Sequence, residues 1–314
     1  MRLPFALLFV PALAVASPEV VQLKIAPGGE LTANLVVYPA AHRLYVLGSR
    51  IEAFELESGK PIDVPGLDKL DDYVLDASHD RAFAPDSSGA LQIFDAKTIA
   101  PIASVPNIGT DDFLVADPTG EAVFAFDITE KHAVHRIDLA TKKTTHLKLP
   151  ARPDTAVVVG GRLYVVIDGK SILRTDAKTL KVDKKLTVKG CDIVELLALT
   201  PKGWMVAMCN DDTIVIDGDG NKIATFANPK VHQVVVDAKR NLLYVPSGGG
   251  KLTVIEEKSP TEYAVVKELA TPKGARAALD PDTGKLYLAS PVPKGDKGIT
   301  QGALLITVYI HGSR

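Results

Sequence analysis

The chain is poor in the residues that most often reveal a reaction. It has two cysteines, three methionines and one tryptophan among 314 residues, and its formal net charge is only -2 at pH 7. Such a small charge gives no overall field that would attract nucleic acid or an anionic membrane, so neither is expected as a partner. Motifs of the GxSxG, HExxH and CxxCH types are missing. We therefore predict no catalytic residue and no haem.

Long hydrophobic runs are also scarce. No segment reaches the roughly 18 consecutive apolar residues that a membrane-spanning helix needs, so no membrane span is predicted. The first residues do have a pattern: Arg2, a short apolar stretch, and the small residues Ala14-Val15-Ala16. This order is typical of a secretory signal peptide. We predict a signal peptide over residues 1–16, a single domain over 17–314, and a periplasmic or secreted protein.

The predicted compartment gives the two cysteines a role. Cys191 and Cys209 are the only pair in the sequence, and an oxidising environment favours a disulfide between them. We expect this disulfide to be structural.

A strand–turn–strand unit, in contrast, is abundant. Seven copies follow one another at a spacing of roughly 40 residues, the spacing of four-stranded propeller blades. Turns built on Asp, Pro and Gly precede the second strand, as at 117–120 and 280–284, where proline presets φ and glycine accepts a positive φ. The second strands are of the Leu-Tyr-Val kind and lie at 43–46, 81–84, 122–125, 162–165, 204–207, 242–245 and 285–288.

The repeat predicts an all-β, seven-bladed β-propeller of four-stranded antiparallel blades with few helices. The last unit offers only three strands, and a lone strand at 20–25 precedes the first unit. We expect this N-terminal strand to pair with the last strand, at 303–310, and so to complete the seventh blade. That pairing would remove two exposed strand edges.

Leu-Tyr-Val strands after Asp-Pro-x-x-Gly turns, in tandem behind a signal peptide, resemble the YVTN-family β-propellers of extracytoplasmic bacterial and archaeal proteins. The resemblance covers the whole mature chain. It implies the fold and a cell-envelope location, and it carries no catalytic residue over to this sequence. No copy reads Tyr-Val-Thr-Asn in full, which marks a divergent member.

Polar residues recur at one position of the predicted inner strands, which line the channel of a propeller. Blade symmetry would bring them together at one channel mouth, so we predict a ligand-binding ring there. Its members are Asn34, Asp72, Asp112, Asp154, Glu195, His232 and, next to the aligned Ala275, Arg276. Four of these are predicted to bind a divalent cation: Asp112, Asp154, Glu195 and His232. The alternative is that these side chains only hydrate the channel mouth and cap backbone amides.

Three further histidines lie close together in sequence. His132 and His135 form no metal-ligand spacing with His146, and we interpret all three as exposed blade residues.

The sequence as a whole favours a monomeric binding or scaffold protein of the cell envelope over an enzyme. A small ligand or an envelope protein would bind at one channel mouth. The alternative function is that of a metal-dependent lactonase- or lyase-like enzyme that uses the acidic ring, a suggestion based on fold analogy alone.

Overall fold

A computed structural model describes residues 19–24, 34–47, 51–63, 73–86, 88–106, 108, 113–129, 131–228, 231, 233–293 and 299–310. Regular structure in these segments is almost entirely β-strand. The helical elements among them are two single 3-10 turns, Pro39–Ala41 and Ala77–His79. The expectation of few helices is thus confirmed for the described part of the chain, which also holds no helix with the length and apolar character needed to cross a membrane.

The described strands form seven four-stranded antiparallel sheets, which we number I to VII in chain order. The first strand of the chain is β1 (Glu19–Lys24). Sheet I contains β2 (Asn34–Tyr38), β3 (Arg43–Leu47), β4 (Ile51–Glu55) and β5 (Pro61–Ile62). Sheet II contains β6 (Val74–Asp76), β7 (Arg81–Pro85), β8 (Leu91–Asp95) and β9 (Pro101–Val105). Sheet III contains β10 (Phe113–Ala116), β11 (Ala122–Asp127), β12 (Ala133–Asp138) and β13 (Thr144–Lys148).

The later sheets follow the same plan. Sheet IV contains β14 (Pro153–Val159), β15 (Arg162–Ile167), β16 (Ser171–Asp176) and β17 (Val182–Thr187). Sheet V contains β18 (Val194–Leu199), β19 (Met205–Cys209), β20 (Asp212–Ile216) and β21 (Lys222–Ala227). Sheet VI contains β22 (Val235–Asp237), β23 (Leu242–Ser247), β24 (Lys251–Ser259) and β25 (Glu262–Ala270). Sheet VII contains β26 (Arg276–Leu279), β27 (Lys285–Pro293), β28 (Ile299–Ile310) and β1.

Sheet VII joins the two ends of the described chain. β1 pairs antiparallel with β28, from Glu19 opposite Val308 to Lys24 opposite Ala303. The other six sheets each use four consecutive strands.

The second strand of each sheet is buried on both faces. All six residues of β11 are buried, whereas most of β13, at the outer edge of the same sheet, is exposed. A strand that is covered on both faces has no polar side, and this explains its nearly continuous run of Ala, Val and Phe. β13 carries Thr and Lys because water covers it.

Apolar clusters fill the spaces between neighbouring sheets. In one of them Phe124 of sheet III packs with Leu163 of sheet IV. Another joins the first sheet to the last, with Val46 of sheet I against Tyr287 and Ile306 of sheet VII. Four-stranded antiparallel sheets that pack face to face in sequence are the architecture of an all-β propeller.

The turns between first and second strands hold buried aspartates. Asp117 accepts the N–H of Gly120 through its carbonyl at 2.8 Å and that of Thr119 through its carboxylate at 3.0 Å. Gly120 has a φ of 73°, a conformation that L side chains rarely adopt. The turn chemistry expected at 117–120 is therefore confirmed.

The same turns contact the next sheet along the chain. Gly284, with φ of 74°, lies against the guanidinium of Arg240 so closely that a Cβ at residue 284 would overlap it. Arg240 in turn donates from Nη1 to Oδ2 of the fully buried Asp237 at 2.9 Å. A turn of sheet VI thus supports the turn of sheet VII.

Candidate functional site at the N-terminal ends of the inner strands

The first strands of the sheets lie side by side around the centre of the fold. β26 contacts both β2 and β22, and β18 contacts both β14 and β22. Each first strand pairs with the second strand of its own sheet. Their N-terminal ends, together with the adjoining loops, form the face that we call the mouth.

Four of the predicted ring residues lie at this face. Asn34 and Arg276 are the first residues of β2 and β26. Asp154 and Glu195 are the second residues of β14 and β18. The other three, Asp72, Asp112 and His232, lie outside the described residues.

Asp154 occupies a β-bulge. Pro153 pairs with Ile167 and the next pair is Thr155 with Val166, so Asp154 has no partner residue on β15. Its Oδ2 accepts the backbone N–H of Gly169 at 2.6 Å, and its Oδ1 lies 3.9 Å from Nε of Arg152. A bulge turns a side chain away from the regular alternation, and here it aims the carboxylate at the loop between β15 and β16.

Glu195 lies next to this loop on the neighbouring sheet. The carbonyl of Gly169 accepts the N–H of Val194 at 2.6 Å, so one glycine connects Asp154 of sheet IV to the start of β18. Glu195 itself is exposed and pairs with Met208, and the register shifts immediately after it. Both described carboxylates of the ring are therefore presented at bulges of adjacent inner strands.

A disulfide fixes the loop that leads into β18. Cys191 and Cys209 are bonded, with their Cα atoms 5.2 Å apart, which confirms the predicted pairing. Oδ1 of Asn210 accepts the N–H groups of Asp192 and Ile193, both at 3.1 Å. The bond and the amide together hold the approach to Glu195 in one conformation.

A side-chain amide connects the inner strands of sheets VI and VII. Gln233 donates from Nε2 to the carbonyl of Ala277 and accepts the N–H of Ala277 at Oε1, both at 2.8 Å. Nearby, burial lowers the pKa of Arg276 because it removes water from the guanidinium.

The described residues do not reveal a metal centre at the mouth. Within them, no group of three or more His, Cys, Asp or Glu side chains stands close enough to hold an ion. Because Asp112 and His232 fall outside the described segments, the four-ligand site stays a prediction. Asp154 and Glu195 provide carboxylate oxygens, which are the ligands that Ca²⁺ prefers.

Two features of the site are not visible in the aligned sequence. The bulges at Asp154 and Glu195 have no characteristic residue in the sequence. Gln233 follows His232, the residue that the alignment selected.

The interpretation of the three histidines also needs correction. His132 and His135 are half-buried, and His135 lies directly opposite the exposed His146 on the next strand, with ring centroids 6.3 Å apart.

Comparison with known proteins identifies the fold only. No family model and no curated protein matches the sequence. A chain of the crystal structure of the mitotic checkpoint complex is similar in structure, with a TM-score of 0.71 and 12% identity over 100% of both chains. The WD40 repeats of RRP9 have a TM-score of 0.71 and 11% identity, covering 95% of this chain and 100% of theirs.

These similarities define the class: the chain is a β-propeller with WD40-like structural neighbours. At such low identity they carry no activity, ligand or partner over to this protein.

Proposed function

We propose that this chain is a secreted binding protein of the bacterial cell envelope, a YVTN-like propeller that takes a small ligand or a partner protein at the mouth. The observation that carries the proposal is the pair of carboxylates at bulges of adjacent inner strands. The carboxylate of Asp154 accepts the N–H of Gly169. The backbone that leads to Glu195 is held by the bond from Val194 to the carbonyl of Gly169 and by the disulfide. Ligand sites usually contain a small number of precisely placed polar groups.

The proposal includes a ring of seven blades. Seven four-stranded sheets support this number, and so does the apolar cluster between sheets I and VII. The pairing of β1 with β28 supports closure by the two chain ends. In sheet VII, β1 covers the outer edge of β28, which would otherwise be free to pair with another chain.

Secretion rests on the pattern of residues 1–16 and agrees with the disulfide, since disulfides persist in oxidising compartments. N-terminal sequencing of the protein recovered from an extracytoplasmic fraction tests this directly. We expect the mature chain to begin at Ser17. An intact Met1 in that fraction, or retention in the cytoplasm, would contradict the prediction.

The mouth is tested with a panel of small anions, cations and sugars in a thermal-shift assay on the mature chain. A compound that binds there should raise the melting temperature of the wild type and lose its effect in Glu195→Gln. The matched control is Asp282→Asn, which alters an exposed carboxylate in an inner-hairpin turn, at the opposite ends of the strands. Equal shifts in all three proteins would place binding elsewhere.

A metal-dependent lactonase- or lyase-like enzyme is the second candidate. The presence of two carboxylates on neighbouring inner strands favours it, since such a pair could contribute to a cation site. Calorimetric titration with Ca²⁺ and with Zn²⁺ distinguishes the candidates. Binding that disappears in Asp112→Asn combined with Asp154→Asn supports the enzyme candidate, and an absence of binding by the wild type removes it.

A further inference from the structure

Two imidazoles face each other on the outer half of sheet III. His135 of β12 and His146 of β13 are directly opposed, and their rings are 6.3 Å apart between centroids and inclined by 37°. Asp138 donates its N–H to the carbonyl of Lys143 at 2.9 Å to close this hairpin. Along an antiparallel hairpin, hydrogen-bonded residue pairs alternate with non-hydrogen-bonded pairs. The histidine pair lies three residues from the hydrogen-bonded pair of Asp138 and Lys143, so it is a non-hydrogen-bonded pair. The two side chains of such a pair lie closer to each other than those of a hydrogen-bonded pair.

The surroundings of His135 favour its neutral ring. Burial lowers the pKa of His135, and the neighbouring ring of His146 and the charge of Lys131 lower it further, while Asp127 acts in the opposite direction. A neutral imidazole has a lone pair available for a metal ion, whereas a protonated one does not. Asp127 also places negative charge near the pair.

We propose that His135 and His146 form a two-imidazole binding site for a transition-metal ion, with Cu²⁺ preferred over Zn²⁺. Cu²⁺ favours tetragonal geometry, and two imidazole nitrogens about 2 Å from one ion at neighbouring positions place their ring centroids about 4.5 Å apart. The observed separation of 6.3 Å is larger, and rotation about the side-chain torsions of the exposed His146 can close it. The order of metals follows the general affinity series for nitrogen sites.

The site is separate from the mouth. It lies on third and fourth strands, whereas the mouth residues lie on first strands. No third His, Cys, Asp or Glu completes a cluster here among the described residues, so water would fill the remaining coordination positions. The ion would bridge β12 and β13 and thereby fasten the outer strand of the sheet.

The test is a Cu²⁺ titration of the tag-free mature chain, followed by calorimetry and by electron paramagnetic resonance. We expect one Cu²⁺ per chain and a spectrum with two nitrogen ligands. His135→Ala and His146→Ala should each weaken binding at least about tenfold, because loss of one arm turns chelation into single-site ligation. Zn²⁺ should compete only weakly.

The matched control is His42→Asn, which removes an imidazole from a turn of sheet I. Residue 42 has a φ of 52°, which asparagine tolerates, so the fold should be retained and Cu²⁺ binding unchanged. If the His135→Ala variant does not fold, His135→Gln is used in its place. Failure of the wild type to bind Cu²⁺, or undiminished binding when both histidines are replaced, would overturn the inference.

Discussion

Replacing Gly284 by alanine tests the contact between the turns of sheets VI and VII. The glycine has a φ of 74°, and an added Cβ would overlap the guanidinium of Arg240. An arginine tip normally moves aside at little cost. This one is held at 2.9 Å by Asp237, whose side chain is fully buried, so the displacement must break an ion pair.

Two terms set the magnitude. The left-handed backbone costs an alanine about 1–2 kcal/mol. The lost hydrogen bond to a charged group adds about 1.5–3 kcal/mol. We therefore expect Gly284→Ala to lower the free energy of unfolding by about 2.5–5 kcal/mol in total.

Gly274→Ala is the matched control for the backbone term. Gly274 has a φ of 71°, and nothing lies within 4 Å of the position that its Cβ would occupy. It should lose only about 1–2 kcal/mol. Urea denaturation measures both variants in the wild-type and in the Arg240→Ala background. The additional loss of unfolding free energy in Gly284→Ala should disappear once the Arg240 side chain is absent, and this isolates the contact. Equal losses for the two glycines in the wild-type background would refute the reasoning.

Three further predictions concern the disulfide, one carboxylate and one buried network. Cys209→Ser opens the bridge to Cys191 and should cost about 3 kcal/mol, measured as a difference in urea stability that vanishes when both proteins are reduced. A nearby serine hydroxyl, helped by further hydrogen bonds, lowers the pKa of Asp86 to about 2. Its stabilising effect is complete above the unfolded pKa of about 3.9 and is lost as the pH falls towards 2, so Asp86→Asn should lose melting temperature less steeply between about pH 5 and pH 2. Tyr263→Phe removes a 2.6 Å hydrogen bond to the buried carboxylate of Glu257 and should cost about 1–3 kcal/mol in thermal denaturation, while unchanged stability would show that water replaces the hydroxyl.

Periodicity predicted most of the strands. The second strand expected at 43–46 is β3, Arg43–Leu47, and the lone N-terminal strand expected at 20–25 is β1, Glu19–Lys24. These segments carry apolar residues on a regular pattern between turn residues, so the signal is local. Trp204 was expected to begin a second strand, yet β19 starts at Met205, because the turn closes through a bond from the N–H of Thr200 to the carbonyl of Trp204.

The site was harder to predict because it depends on register. Alignment across the units selected residues that lie at the N-terminal ends of β14 and β18, but a bulge adds a residue without any characteristic side chain. The sequence therefore could not show that Asp154 caps Gly169. The opposition of His135 and His146 was missed for a similar reason: it follows only once the turn after Asp138 fixes the pairing of β12 with β13.

In two places a turn contacts the turn of the following sheet, and this gives the order of the sheets a direction. Arg240 of sheet VI needs the glycine at 284 in sheet VII, and Arg81 of sheet II donates to the carbonyl of Gly120 in sheet III at 2.8 Å. Each donor and its receiver thus belong to different units. A gene duplication that inserted one whole sheet between sheets VI and VII would separate Arg240 from Gly284, whereas one that began and ended within a sheet would carry matched partners together. Addition or loss of sheets is therefore expected to have its breakpoints inside the units.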